Sequence, residues 1–210
     1  MKTKKPVAKT TAKVKFLNSQ EEYFYYWLEE LELHGYVKNI KYNLDSFVVN
    51  NPLNVSHLKA KSKSQNIIED MKLIKERSYT PDFIFEFTSK SEDIFYFKPN
   101  SVKKIFPFVN NDNKTYVDTK GEFTQHYSST ITFGDRQAMM WDKHKIYVQI
   151  IKPYIRESGK NCLFEQTFVP SKVMLKERYI KDMPNKNIKK GDTKIKFVVN
   201  TFDEFIKNYK

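Results

Sequence analysis

Cysteine is almost absent from the chain. Cys162 stands alone, which excludes an internal disulfide and any cysteine-based zinc cluster and suits a reducing compartment. By itself it reads as a small buried hydrophobe. Arginine is nearly as scarce, with only Arg77, Arg136, Arg156 and Arg178 among the 37 Lys+Arg. Lysine meets phosphate as a point charge, whereas bidentate reading of guanine edges is mainly arginine work. Any polyanion would therefore be met through its backbone or shape. The histidines His34, His57, His126 and His144 are scattered, with no HxH or HxxxH spacing, so a zinc site or a histidine dyad has little support. A P-loop, a GxGxxG turn and a nucleophile elbow are all missing, which removes nucleotide hydrolysis and α/β-hydrolase chemistry. No apolar run approaches membrane-spanning length, and "MKTKKPVAKTTAKVK" lacks the apolar centre of an export signal. A soluble, cytoplasmic protein with no membrane partner is expected.

What the sequence does have is positive charge. The formal balance is +12 over 210 residues, a surplus that favours polyanions such as nucleic acid. Residues 1 to 15 read as a flexible basic arm able to lie along phosphates. The rest is long enough for one sizeable domain that buries its core without staples.

The clearest element is "NSQEEYFYYWLEELELHG". Ser19 is the expected N-cap, Glu22 completes a capping box, and Gly35 is a natural stop. Phe24, Trp27, Leu28 and Leu31 form a stripe at helical spacing, and Tyr25, Tyr26 and Leu33 give the opposite side apolar character too. Extended segments are expected over residues 36 to 49, then a polar stretch to residue 66 and a short helix near "NIIEDMKLIKER". "FIFEF", "DIFYFK", "VKKIFPFV" and "KTYVDTKG" suggest consecutive antiparallel strands over residues 83 to 120. A second helix is expected over residues 135 to 145 with Asp135 as its cap. "KIYVQIIKP" then reads as a buried strand ended by Pro153. "KIKFVV" reads as a further strand, and "TFDEFIKNY" as a terminal helix opened by a Thr201/Glu204 capping box. The order is that of an α/β domain with a mixed central sheet.

One stretch raises a chemical question. "YTPDFIFEF" puts Asp82 at the mouth of an apolar strand, and an isolated buried charge is costly unless it is paired or binds a metal. The partner is expected in "YVDTKG", where Asp118 and Lys120 share one strand face and Thr119 faces the other. If the two strands are neighbours, Asp82 and Asp118 converge on one divalent cation. Two carboxylates and the Thr119 carbonyl suit magnesium, which takes oxygen ligands at roughly 2.0 to 2.1 Å and keeps several waters. The interval between the two aspartates then has to contain an inserted ribbon that leaves the strands adjacent.

The Pro81–Asp82 pair, the Asp118-Thr119-Lys120-Gly121 run and a preceding glutamate on a helix resemble the PD-(D/E)XK nuclease superfamily, with phage relatives of Holliday-junction resolvases most similar. The resemblance covers about residues 16 to 152 and leaves residues 153 to 210 as an extension of unassigned role. It implies a restriction-endonuclease-like α/β core with a mixed central sheet flanked by helices. Carried over by position, it implies Glu22, Asp82 and Asp118 as metal ligands, with Glu21 as an alternative to Glu22. Lys120 would position or help to activate the attacking water. The expected activity is endonucleolytic cleavage of DNA, selective for branched structures and leaving 5′-phosphate and 3′-hydroxyl ends. Mg2+ is the expected cofactor, with Mn2+ substituting. A homodimer acting in the cytoplasm of a phage host is the matching context. Lys143 and Lys145 would grip the DNA backbone, Tyr116 would pack near the scissile group, and His126 would lie on a loop. The rival reading is a basic, non-catalytic DNA-binding or virion-associated protein on the same scaffold.

Overall fold

The computed structural model describes residues 15–62, 65–96, 108–120, 127–153, 162–174, 189–190, 193–194 and 200–209. The first helix, α1 (Ser19–Leu33), begins one residue earlier than its sequence suggests. Its cap is Asn18, whose side chain accepts from the Glu21 backbone N–H at 2.9 Å, while the Glu21 carboxylate takes the Asn18 amide at 2.6 Å and the Leu17 N–H at 2.9 Å. Reciprocal capping is thus present, but between Asn18 and Glu21 rather than Ser19 and Glu22. At the other end Gly35 has φ 74°, the Tyr36 N–H reaches the Leu31 carbonyl and the Gly35 N–H that of Glu32. That double closure is a Schellman stop, and glycine meets its left-handed residue without strain.

Four strands form the central sheet in the order β1 (Val37–Tyr42), β6 (Phe83–Phe87), β7 (Thr115–Thr119) and β8 (Val148–Ile151). β1 and β7 run antiparallel to β6, and β8 runs parallel to β7. The sheet is therefore mixed, as its parallel pair requires the long crossover made by α2 (Tyr127–His144). Between β1 and β6 the chain makes a nested excursion. β2 (Phe47–Asn50) pairs with β5 (Arg77–Tyr79), and beyond them β3 (Leu53–Ser62) pairs with β4 (Gln65–Ile74) as a two-stranded ribbon. The helix expected near residues 66 to 77 is strand β4. Ile67, Met71 and Ile74 recur at helical spacing, yet ladder bonds to β3 govern the backbone, and Ile67, Met71 and Leu73 are left exposed on the ribbon.

Alternation along the strands separates two cores. Phe83, Phe85, Phe87 and Val117 face α1 and its Phe24, Trp27, Leu28 and Leu31, while Ile84, Tyr116 and Val148 face α2 with Phe133 and Met140. The α1 side is filled by aromatic rings, with Trp27 stacked on Phe108 and on Phe168, both at 5.7 Å between centroids. Such offset stacks add to the burial of their large apolar area. The C-terminal segment closes this core through α3 (Leu163–Gln166), α4 (Ser171–Met174) and α5 (Phe202–Tyr209). Leu163, Phe164, Val173, Phe202 and Phe205 all pack into it, and the Thr201/Glu204 pair caps α5 from both directions.

Three further expectations change. Residues 89 to 96 form a 3-10 turn and a second turn closed by a Glu92–Tyr96 bridge, because Phe95 leaves the strand direction to enter the core against Trp27 and Phe87. Most of "VKKIFPFV", like Gly121, His126 and most of "KIKFVV", lies outside the described residues. The second helix begins at Tyr127, eight residues before the expected cap, so Asp135 is an exposed interior residue. Leu33 on α1 is 82% exposed, whereas Tyr25 and Tyr26 pack partly against the core. Among the described residues no helix is long and apolar enough to cross a membrane.

Candidate active site

The register of β6 against β7 places Phe83 opposite Val117. One step further along the same antiparallel ladder stand Asp82 and Asp118, on the face that carries Ile84 and Tyr116 and is covered by α2. The long interval between the two aspartates does leave their strands adjacent.

Asp82 is held by its neighbour on β7. One oxygen of its carboxylate accepts from the Thr119 N–H at 2.7 Å and from the Thr119 hydroxyl at 2.8 Å, and its backbone carbonyl accepts from the Asn43 N–H at 3.0 Å. Thr119 therefore meets the site through two donors, with its hydroxyl turned to the Asp82 carboxylate rather than away from it. The register pairs with β6 end at Val117, so the Thr119 N–H takes the carboxylate as its acceptor instead.

Asp118 is 5% exposed. Its carboxylate pairs with the Lys120 ammonium at 2.6 Å, and Lys120 is fixed in turn by its backbone N–H to the Ile151 carbonyl. The same ammonium lies 5.8 Å from the centroid of the Phe133 ring on α2. Burial, then the charge of Asp118 beside it, pushes the Asp82 carboxyl up to about 7 against the pull of the two Thr119 donors.

Strand β5 completes the wall. Tyr79, the last residue of β5, is three positions before Asp82 across the Thr80-Pro81 turn, and its ring is buried. Its phenol is raised above the usual tyrosine range by burial, by the charges of Asp118 and Asp82 and by the Asp118 carboxylate acting as a hydrogen-bond acceptor, with Arg136 opposing. The Arg136 guanidinium stands 5.9 Å from the Tyr79 ring centroid. Neither residue is singled out by sequence. Tyr79 lies inside the quoted nonapeptide, but a tyrosine at a strand end reads as core until a fold brings it against the carboxylates. Tyr116 is the core residue instead, packed edge-on against Phe47.

Glu22 is not gathered with the aspartates. It sits on α1, which covers the opposite face of the sheet, and its carboxylate accepts from the Tyr26 hydroxyl at 2.8 Å. Glu21 is buried and clasped by Leu17, Asn18 and the Tyr42 hydroxyl. No group of three or more His, Cys, Asp or Glu able to hold a metal ion occurs among the described residues. Lys143 and Lys145 stand seven and nine residues beyond Arg136, roughly 10 Å or more along the helix direction. There Lys143 binds the Asn51 side chain and Lys145 closes the end of α2 on the carbonyls of Trp141 and Asp142.

Chemically, the site offers two neighbouring carboxylates in a low-dielectric setting, one ammonium already on the second, and a phenol behind. Such a pair resists double ionisation unless positive charge is supplied. All-oxygen donors suit a hard divalent cation, so Asp82 and Asp118 fit one as a two-carboxylate set. No family model matches the chain, nor does any curated protein or solved structure.

Proposed function

We propose that the chain is a magnesium-dependent endodeoxyribonuclease that hydrolyses DNA phosphodiester bonds. The observation carrying this reading is the meeting of Asp82 and Asp118 across adjacent antiparallel strands, with Lys120 on the same face at 2.6 Å from Asp118. The order of α1, β1, β6, β7, α2 and β8, with its final parallel pair, supports a restriction-endonuclease-like core of the kind that the PD-(D/E)XK resemblance implies.

Asp82 and Asp118 would hold the cation, whose chemistry there is to acidify water and to neutralise charge on the scissile phosphate. Thr119 keeps Asp82 oriented and favours its ionised form through two donated hydrogen bonds. Lys120 stands where an ammonium can hold the attacking water and the negative charge that develops on phosphorus-bound oxygens. Arg136 adds a second cation on the same wall. The +12 balance supplies backbone attraction that falls steeply with salt. Branched DNA as substrate, a homodimer as the acting species and a place in the host cytoplasm complete the proposal.

A second reading is favoured by the closed ion pair between Lys120 and Asp118 and by the position of Glu22 on the other face. On it, the same scaffold binds DNA without cutting. The two separate on incubating supercoiled plasmid and a synthetic four-way junction with wild type and Asp118→Asn, in magnesium and in EDTA. Cleavage that needs both magnesium and Asp118 is the expected result. Tight binding with no cleavage under any divalent ion would establish the non-catalytic reading.

A further inference from the structure

Tyr79 poses an accounting problem. Its side chain is 6% exposed and its phenol oxygen is fully buried, yet that oxygen completes no hydrogen bond of full geometry, although the Asp118 carboxylate is close enough to act on it as an acceptor. A buried hydroxyl held short of full hydrogen-bond geometry forfeits its bonds to water and recovers only part of that loss. A phenylalanine would fill the same space without that loss. The hydroxyl is nevertheless placed beside the two carboxylates of the site, whose charges act on it, with Arg136 against its ring. A donor that sits beside a buried acidic pair without completing a full hydrogen bond to it is placed to complete one when the occupancy of that pair changes.

The current occupant of Asp118 is Lys120. Resting on the proposal that Asp82 and Asp118 hold a cation, the exchange is simple to follow. A cation held by Asp82 and Asp118 would compete with the Lys120 ammonium for Asp118 and would leave that ammonium free to meet substrate. The Asp118 carboxylate then needs another donor to keep its orientation. Ligating carboxylates are characteristically held by such outer partners. Thr119 already serves Asp82 in that way, and Asp118 has no equivalent among the described residues except the phenol beside it.

We propose that Tyr79 is a positioning residue for the acidic pair, its O–H donating to the Asp118 carboxylate in the cation-bound state. It holds its proton throughout and takes no part as a base. Arg136, against the ring, helps to fix the phenol in place.

The test compares full-length wild type with Tyr79→Phe, Tyr116→Phe and Asp118→Asn, measuring Mn2+ binding by calorimetry and by the electron paramagnetic resonance of free Mn2+, with thermal melts in EDTA. Wild type is expected to show a site that Asp118→Asn abolishes. Tyr79→Phe is expected to weaken it about 10-fold, while its metal-free melting temperature equals or exceeds that of wild type. Tyr116→Phe, on the same core face, is expected to leave affinity unchanged. Affinity of Tyr79→Phe within twofold of wild type, or an equal loss in Tyr116→Phe, overturns the role of Tyr79 and leaves the proposed site standing. A lower metal-free melting temperature for Tyr79→Phe would show that the hydroxyl is already paired in the free protein, and also overturns it. Absence of an Asp118-dependent Mn2+ site in wild type overturns both.

Discussion

Thr119 gives both of its donors to one oxygen of Asp82, at 2.7 Å from the backbone and 2.8 Å from the hydroxyl. The backbone bond survives any side-chain substitution, so Thr119→Val removes one donor while keeping the branched shape. Hydrogen bonds to an ionised acceptor are worth about 1.5–3 kcal/mol and those to a neutral one about 1. The variant should therefore lose more stability at pH 8.5, where Asp82 is charged, than at pH 5. Urea unfolding at the two values checks this, and an equal loss at both would show that the hydroxyl does not distinguish the two states.

Asp82 also sets a pH dependence of its own. An unfolded aspartate titrates near 3.9, whereas burial and Asp118 raise the folded one to about 7. Between those values the native state binds more protons, so the Asp82 contribution is fully present below about pH 4. It is lost as pH rises through 7, at up to about 1.4 kcal/mol per pH unit. Asp82→Asn removes the slope. Melting of both proteins in EDTA from pH 4.5 to 8 should show wild type falling relative to the variant, and parallel curves would contradict the assignment.

At α1 the shifted cap separates two adjacent residues. Asn18→Ala takes the acceptor from the Glu21 N–H and should cost about 1 kcal/mol. Ser19→Ala, inside the first turn, should stay within about 0.5 kcal/mol. Denaturant midpoints for the pair decide between them.

The helix itself was legible because Phe24, Trp27, Leu28 and Leu31 recur at its period and Gly35 ends it, two independent signals in agreement. The cap was misplaced by one residue since Asn18 and Ser19 are both good caps and both have a glutamate three positions on. Only the hydrogen bonds choose. In residues 66 to 77 the local pattern and the tertiary pairing conflict, and the ladder with β3 prevailed over spacing. The aspartates could be paired from sequence because each stands at the end of an apolar run, so that the antiparallel register had only to close the gap between them. Which face they share is set by the sheet, and that is why Glu22, three-residue spacing notwithstanding, falls on the other side. Tyr79 and Arg136 carry no signal along the chain at all. They meet only when β5 and α2 cover the same surface.

The C-terminal segment, whose role the sequence leaves open, enters the α1 core through rings. Phe205 packs 5.6 Å from Phe95 and 5.9 Å from Phe168. Truncation to alanine should cost about 3–5 kcal/mol, read as a drop in the urea midpoint at pH 7. A loss below 1 kcal/mol would show that the extension is dispensable to the core.

Trp27 donates its indole N–H to Thr167, 140 positions later in the chain. A ribosome adding about 5–20 residues per second takes on the order of 10 s to cover that interval. Until it ends, the α1 core lacks the part of its cover that Phe168, Phe202 and Phe205 provide. Contacts of such long range also make for slow folding, so a release-stalled or prematurely terminated chain is a natural client for chaperones and a seed for inclusion bodies.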